Sequence, residues 1–373
     1  MENCQYFSTK CSNCQWINLS YQEQLDRKTA ELEHLFPVMI KQVFVSEHFE
    51  FRDKAKLQIS GTLNNPIIGF LHPQSLKVEE EILECPIHHH QLNQSLNLVK
   101  SIIPLIKLVP YEVSTRTGEL KGIIIFHSPT TQEKYIRFVL RSTESILRIK
   151  KHLHLLNEFD VISANIQPIP HAILEGPEEI ILSEKSFINH QFNSKIFFLA
   201  TQSFVQTNSK VAEKLYFTAS QWVKNLSINK ILDLYCGVGT FALHLASKDN
   251  HVMGVEINKA AINMAKENAK IQNQNVNFIC EDASKIDEMI TSFNPDLLVV
   301  NPPRSGIKKL TTYLNDKPVK YILYSSCNQI SFMQDFKQLE KIYQIEKMAM
   351  FDMFPYTPHY ELLCLLKLKN SSS

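Results

Sequence analysis

The sequence predicts an α/β protein: a doubly wound parallel sheet in the carboxyl-terminal half, with a smaller β-rich domain ahead of it. Three observations carry this reading. From about residue 205 onward, short apolar strand-like runs alternate with amphipathic helical segments, a pattern that calls for a parallel sheet covered by helices. The first of those strands runs straight into a glycine loop, DLYCGVGTFA, at residues 233–242. Between about Phe51 and Ile181 the alternation gives way to β-rich runs such as LKGIIIFHS and YIRFVLRS.

With 373 residues and 44% hydrophobic content, the chain can bury two or three cores. Lysine plus arginine (39) nearly cancels aspartate plus glutamate (38). A nucleic-acid partner would therefore be met by a local basic patch, since no global field exists to attract one. No basic-then-apolar leader opens the sequence, and no apolar run approaches the roughly eighteen residues of a membrane span. The expected location is the cytoplasm, and the expected state is a monomer.

The eight cysteines fall into two groups. The first is C-x6-C-x2-C, Cys4, Cys11 and Cys14, with Cys85 followed by Pro86 far downstream. The segment CQYFSTKCSNCQW is too short and polar to bury three thiols separately, so a bound metal explains them better than core packing. Four thiolates suit tetrahedral zinc or an iron–sulfur cluster, and a Cys-Pro pair leans towards the latter.

Next, Ser20 and Glu23 in SYQE form a capping box ahead of a helix with Tyr21, Leu25, Leu32 and Phe36 on its apolar face, ended by Pro37. The β-rich stretch has a turn at RTGE, residues 116–119, and carries Arg52, Lys54, Lys56, Arg137, Arg141, Arg148, Lys150 and Lys151. Singly these are solvated charges; as a set they form a candidate RNA-tracking face. In the second half, Asn208 caps a helix through Val211, Leu215, Ala219 and Trp222. Strands KILDLY, HVMGVE, VNFIC, DLLVV and VKYILY then alternate with helices TFALHLAS, KAAINMAKENAK and one near KKLTTYL.

Three loops at the carboxyl edge of those strands, and one segment after them, carry chemistry. In the first loop Gly237 and Gly239 let the backbone approach a ligand, Asp233 anchors the turn, and Glu256 ends the next strand where a carboxylate can accept both ribose hydroxyls. GVGTFA also satisfies G-x-G-x-x-G/A, so a dinucleotide site competes with an S-adenosylmethionine site. The second loop, NPPRSG at 301–306, is stiffened by two prolines, which suits holding a planar base beside a methyl donor and has no use in a dehydrogenase. In the third, YSSCNQ at 324–329, a cysteine closes an apolar strand.

Carbon 5 of uracil is too poor a nucleophile to take a sulfonium methyl unless a thiolate first adds at carbon 6. A base must afterwards remove the carbon 5 proton. One cysteine and one carboxylate on the same edge are therefore required. Cys327 suits the first role, and Glu361 in FDMFPYTPHYELL the second. Cys236, Cys280 and Cys364 are read as packing residues.

With CSNCQW, SFVQTN, DLYCGVG, NPPRSGI, YSSCN and MFDMFPYTPHYE in this order, the chain resembles the bacterial RNA 5-methyluridine methyltransferases, in particular the branch acting on 23S rRNA that lacks a TRAM domain. The resemblance implies a class I (Rossmann-like) S-adenosylmethionine methyltransferase domain plus a smaller β-rich iron–sulfur domain. It implies a [4Fe-4S] cluster on Cys4, Cys11, Cys14 and Cys85; cofactor contacts from Gln206, Tyr235, Glu256 and Asn301; Cys327 as nucleophile; and Glu361 as base. Tyr235 stands where the family often has phenylalanine, which should preserve stacking. Asn301 replaces an aspartate found in other branches.

The implied division is residues 1–16 and 48–185 for the iron–sulfur domain, and 17–47 and 186–373 for the methyltransferase domain. The expected activity is methylation of carbon 5 of a 23S rRNA uridine, by branch resemblance the uracil(747)-type site. Rival readings are the same chemistry on another rRNA or tRNA uridine, an NAD-linked iron–sulfur oxidoreductase, and a non-catalytic RNA-binding protein.

Overall fold

A computed structural model of the chain describes residues 4–7, 11, 13–36, 42–72, 75, 77–169, 175–281 and 285–369. The chain forms two compact units, one comprising Met1–Asn18, Glu47–Gln191 and Leu199–Gln202, the other Leu19–Ser46, Phe192–Phe198 and Ser203–Ser373. Among the described residues, no helix is long and apolar enough to cross a membrane.

The second unit is built on an eight-stranded sheet in the order Gln42–Phe44, Tyr343–Phe351, Glu361–Leu368, Tyr321–Ser326, Leu297–Val300, Lys230–Leu234, His251–Glu256, Val276–Cys280. Every pairing is parallel except the two made by Glu361–Leu368, which runs against both neighbours. The strands at the centre are continuous apolar runs, LLVV and YILY among them, because they are buried on both faces.

The helices between strands form where the sequence places their caps. Asn208 accepts from the Val211 amide, and Asn258 from those of Ala260 and Ala261. Helices Ile286–Phe293 and Gln329–Leu339 and strand Tyr343–Phe351 escaped the sequence pattern. The last of these reads YQIEKMAMF, and its polar first half masks an apolar second half that is fully buried.

Helix Tyr21–Leu35 belongs to this unit, and its capping box is present: the Glu23 amide donates to Ser20 Oγ at 3.2 Å, and the Ser20 amide donates to Glu23 Oε2 at 2.8 Å. Pro37, the expected terminator, lies outside the described residues. The helix buries Leu25 and Leu32 in the main core and also carries polar side chains inward. Lys28, fully buried, meets Asp352, also fully buried, at 2.6 Å, and donates to the Phe354 carbonyl at 3.2 Å. The Tyr21 hydroxyl donates to the other Asp352 oxygen at 2.7 Å, and the Tyr356 amide donates to Gln24 Oε1 at 2.6 Å. This helix thus fixes the course of the segment leading to Glu361.

Breaking the Lys28–Asp352 pair leaves a carboxylate stranded away from water. Lys28→Met is expected to cost about 3–5 kcal/mol in urea denaturation, and Lys28→Met with Asp352→Leu to recover much of it.

The first unit holds a six-stranded sheet in the order Pro66–Gly69, Lys54–Gly61, Leu120–His127, Lys134–Leu140, Val161–Ile166, Glu178–Ile181, antiparallel except between Lys134–Leu140 and Val161–Ile166. Helix His90–Leu105 packs Leu92, Leu96, Val99 and Ile103 into the same core as Leu57, Ile123 and Phe138. The RTGE turn is present, with Arg116 at φ 57° and Gly118 at φ 87°. A Cβ on Gly118 would lie 2.1 Å from the Pro110 carbonyl oxygen, so this turn accepts only glycine.

Candidate active site

The chemically unusual loops of the second unit lie at the carboxyl ends of its parallel strands. Strand Lys230–Leu234 ends at Tyr235, held at φ 61°, and the chain turns through Gly237 at φ 55° and Gly239 at φ 84° into helix Thr240–Leu245. A Cβ on Gly239 would strike the Phe278 ring at 2.6 Å, whereas one on Gly237 would project into open space. Gly239 therefore serves packing, and Gly237 keeps a cradle clear.

Beside the cradle, the Gly237 amide donates to Glu256 Oε2 at 3.3 Å, and the Asn258 amide to Glu256 Oε1 at 2.9 Å. Beneath it, Asp233 is fully buried; one carboxyl oxygen accepts from the Ala242 amide at 2.9 Å, and the other has no hydrogen-bond partner among the described residues. Burial pushes Asp233 up to about 8 against the opposing pull of the Ala242 amide, with nearby Glu256 adding to the rise. An orphaned buried oxygen and an open glycine cradle beside a carboxylate fit a polar adenosyl ligand.

Gln206 is buried just ahead of helix Ser209–Lys224, and Asn301 is half-buried after strand Leu297–Val300.

Cys327 is half-buried between the end of strand Tyr321–Ser326 and Asn328, whose side chain caps helix Gln329–Leu339. Glu361 reaches it because the last strand is reversed. Residues pair Ser325↔Leu363 and Ser326↔Leu362, so the next position in register sets Cys327 opposite Glu361. An antiparallel strand starts where its parallel neighbours finish, and its first residue therefore lies at their carboxyl edge.

Glu361 is 1% exposed, accepts a hydrogen bond from the Ser325 hydroxyl at 2.7 Å, and is pushed up to about 7 by burial, which that hydrogen bond opposes. Burial and the neighbouring Glu361 charge raise the Cys327 thiol, while the positive charge of the nearby Arg304 guanidinium pulls the other way.

Two links tie the loops of Arg304 and Cys327 together. Asn328 Nδ2 donates to the Arg304 carbonyl at 3.0 Å. Asp335 accepts at 2.8 Å both from the Ile307 amide, after NPPRSG, and from the Tyr324 hydroxyl, in YSSCNQ.

The chain is similar to known proteins over most or all of its length. Residues 177–369 fit the family model described as tRNA (Uracil-5-)-methyltransferase. A protein of Photorhabdus laumondii named 23S rRNA (uracil(747)-C(5))-methyltransferase RlmC is 39% identical, with 100% of each chain covered. The chain belongs to the tRNA (uracil-5-)-methyltransferase family. Another relative, from Mannheimia succiniciproducens and bearing the same RlmC name, is 41% identical over 97% of this chain and 98% of its own. Among solved structures, the tRNA (uracil-54, C5)-methyltransferase of Pyrococcus abyssi, crystallised with S-adenosyl-L-homocysteine, superposes with a TM-score of 0.79 at 28% identity, covering 95% of this chain and 85% of that one. The fold is that of an S-adenosylmethionine-dependent methyltransferase, and family membership makes the protein a uracil-C5 methyltransferase.

Within this family member, two sequence expectations need correction. Cys236 and Cys364 are buried as packing residues, but Cys280 is exposed, with its thiol 3.4 Å from the Ile257 carbonyl. It ends the edge strand of the sheet, where no further strand among the described residues covers it. The proposed basic face also contracts. Arg137, 3% exposed, is clamped by Glu175 and Glu179; Arg141 pairs with Glu119, and Lys56 with Glu175. Arg52 bears on Cys14 and Cys85. Arg148, Lys150 and Lys151, in the last turn of helix Ile146–Lys151, stay exposed. Periodicity could not reveal this, because the acidic partners at 175 and 179 lie across the sheet.

In the first unit Cys4, Cys11, Cys14 and Cys85 are all free and half-buried. Tyr6 ties their two segments together, since its hydroxyl accepts from the Glu84 amide at 3.0 Å. The Cys85 loop is braced by hydrogen bonds of Glu50, Arg52 and His89 with Pro86 and Ile87 and with Arg52 itself. Burial and the charges of the other three cysteines push Cys14 up to about 12, and burial and the charges of Cys11 and Cys4 push Cys85 up to about 11.

Proposed function

We propose that this protein methylates carbon 5 of a uridine in 23S rRNA, at the uracil(747)-type position named for its relatives, with Cys327 as nucleophile and Glu361 as base. The observation that carries the residue roles is the reversed strand Glu361–Leu368, which delivers a buried carboxylate to the edge where Cys327 and Arg304 lie. Methyl mapping tests the site: 23S rRNA from cells lacking the protein should lose one 5-methyluridine, restored by the wild-type chain. An unchanged 23S map with a lost methyl in tRNA would move the substrate.

In the proposed reaction the Cys327 thiolate bonds to carbon 6, and the electron pair of the C5=C6 bond shifts so that carbon 5 becomes nucleophilic. S-adenosylmethionine, when bound, supplies the sulfonium methyl that carbon 5 accepts. Glu361 then takes the carbon 5 proton; the C–H pair re-forms C5=C6, and the C6–S bond breaks to return the thiolate. Arg304 keeps a positive charge beside the sulfur, where it favours both the attacking and the departing thiolate. Glu256 would hold the ribose hydroxyls, Tyr235 the adenine face, and Gln206 and Asn301 the remaining polar contacts of the donor. The target uridine must leave its stack, because carbon 6 is hidden in a paired helix. The protein is proposed to act as a cytoplasmic monomer.

A [4Fe-4S] cluster on Cys4, Cys11, Cys14 and Cys85 completes the reading. The residues fit it chemically: four free thiols gather where burial and mutual repulsion disfavour thiolate, a cost that iron would reverse, and Arg52 offers a compensating cation to Cys14 and Cys85. Cys85→Ser is expected to strip iron and labile sulfide from anaerobically purified protein. Zinc in place of iron would make the site a structural zinc centre.

A further inference from the structure

We propose that Ser325 is the positioning residue of the base: its hydroxyl, bonded to one carboxylate oxygen of Glu361, fixes the direction in which the other oxygen meets carbon 5. This rests on the reading of Glu361 as the base.

Ser325 and Glu361 are each 1% exposed, and the hydroxyl donates at 2.7 Å. Ser325 lies two residues before Cys327, near the end of the strand, whose last residue, Ser326, lies between them. The register pairs Ser325 with Leu363, two positions beyond Glu361; the hydrogen bond is therefore a diagonal cross-strand contact that pulls the carboxylate back along the neighbouring strand. The adjacent Ser326 cannot take this part. Its hydroxyl donates to the Asn328 carbonyl at 3.0 Å and accepts from the Asn328 amide at 3.1 Å, serving the turn that presents Cys327. In YSSCNQ the two serines thus divide the work, one shaping the nucleophile's turn and the other holding the base.

Among the described residues, the titratable groups on which the Glu361 charge bears are Cys327 at the strand end and Tyr216 from helix Ser209–Lys224. Strand Tyr343–Phe351 presents only Phe351 opposite it in register. A hydrogen bond donated to a carboxylate favours its charged form, so Ser325 also opposes the burial that holds the proton on.

The test is the pH profile of methyl transfer and of adduct decay, measured on full-length protein with an rRNA fragment. Ser325→Ala is expected to move the ascending limb to higher pH, slow turnover about tenfold at neutral pH, and let the covalent protein–RNA species build up, with KM for both substrates unchanged. Ser325→Thr keeps the hydroxyl and should restore the wild-type profile. If the alanine variant fails to fold, Ser325→Cys, similar in volume but a weak donor, should show the same shift. A wild-type profile in the alanine or cysteine variant would overturn the proposal, as would a threonine variant no better than either. If Glu361→Gln abolishes adduct decay while Ser325→Ala leaves it unchanged, only this inference fails; if Glu361→Gln turns over normally, the base assignment fails.

Discussion

Replacing Cys327 by alanine is expected to lower methyl transfer at least about 10⁴-fold, because in the proposed reaction its sulfur is what makes carbon 5 electron-rich. Uracil without a sulfur at carbon 6 presents a conjugated ring whose carbon 5 does not displace from a sulfonium. The loss should fall on kcat, with donor affinity retained, since the glycine cradle, Glu256 and Asp233 belong to other strands. Donor binding by calorimetry and label transfer to an rRNA fragment separate the two quantities. Turnover above about one hundredth of wild type would exclude covalent catalysis through this sulfur. Arg304→Ala should give a milder loss, on the order of 10–10²-fold, because it removes the stabilisation of the thiolate and leaves the sulfur in place.

Why the proposed nucleophile stands out in the sequence, and its supporting groups do not, follows from distance along the chain. The glycine loop, NPPR and YSSCN are local signals: each is a strand end plus a few residues whose backbone needs are written in their own letters. Asp233, Gly237 and Glu256 likewise sit at ends of strands that periodicity placed within a residue or two of the observed bounds. The proposed base stands out through chemical demand, since the proposed reaction requires a carboxylate, and Glu361 is polar ahead of an apolar strand. What periodicity could not supply was the reversal of that strand. A run such as LLCLL carries no direction, yet direction alone decides whether Glu361 lies beside Cys327 or at the opposite edge of the sheet.

Helix Tyr21–Leu35 shows the same limit. Its capping box was readable, but the inward-facing Gln24 and Lys28 look like solvated positions until Tyr356 and Asp352, more than three hundred residues away, supply their partners. Arg137 and its two glutamates repeat the pattern in the first unit. Buried polar pairs are long-range choices, invisible to any window shorter than the fold.

Glu361→Gln is expected to separate methyl transfer from release. Glutamine preserves the shape of the side chain and can still accept from Ser325, but it cannot take a proton from carbon 5, so the methylated ring should remain bonded to Cys327. Turnover should fall by about 10²–10⁴-fold. A denaturation-resistant protein–RNA band should appear that carries the methyl label at one equivalent per protein. In the wild type the ascending limb should lie near neutral pH, because Glu361 acts only when ionised and its folded-state value is pushed up to about 7: below it the proton stays on and release slows, above it the base is ready. Adding Cys327→Ala to the glutamine variant must abolish the band, because the bond is to that sulfur. A glutamine variant that releases free methylated RNA at the wild-type rate would show that another group, or water, removes the proton, and the buried carboxylate would then be left with a purely electrostatic part beside the thiolate.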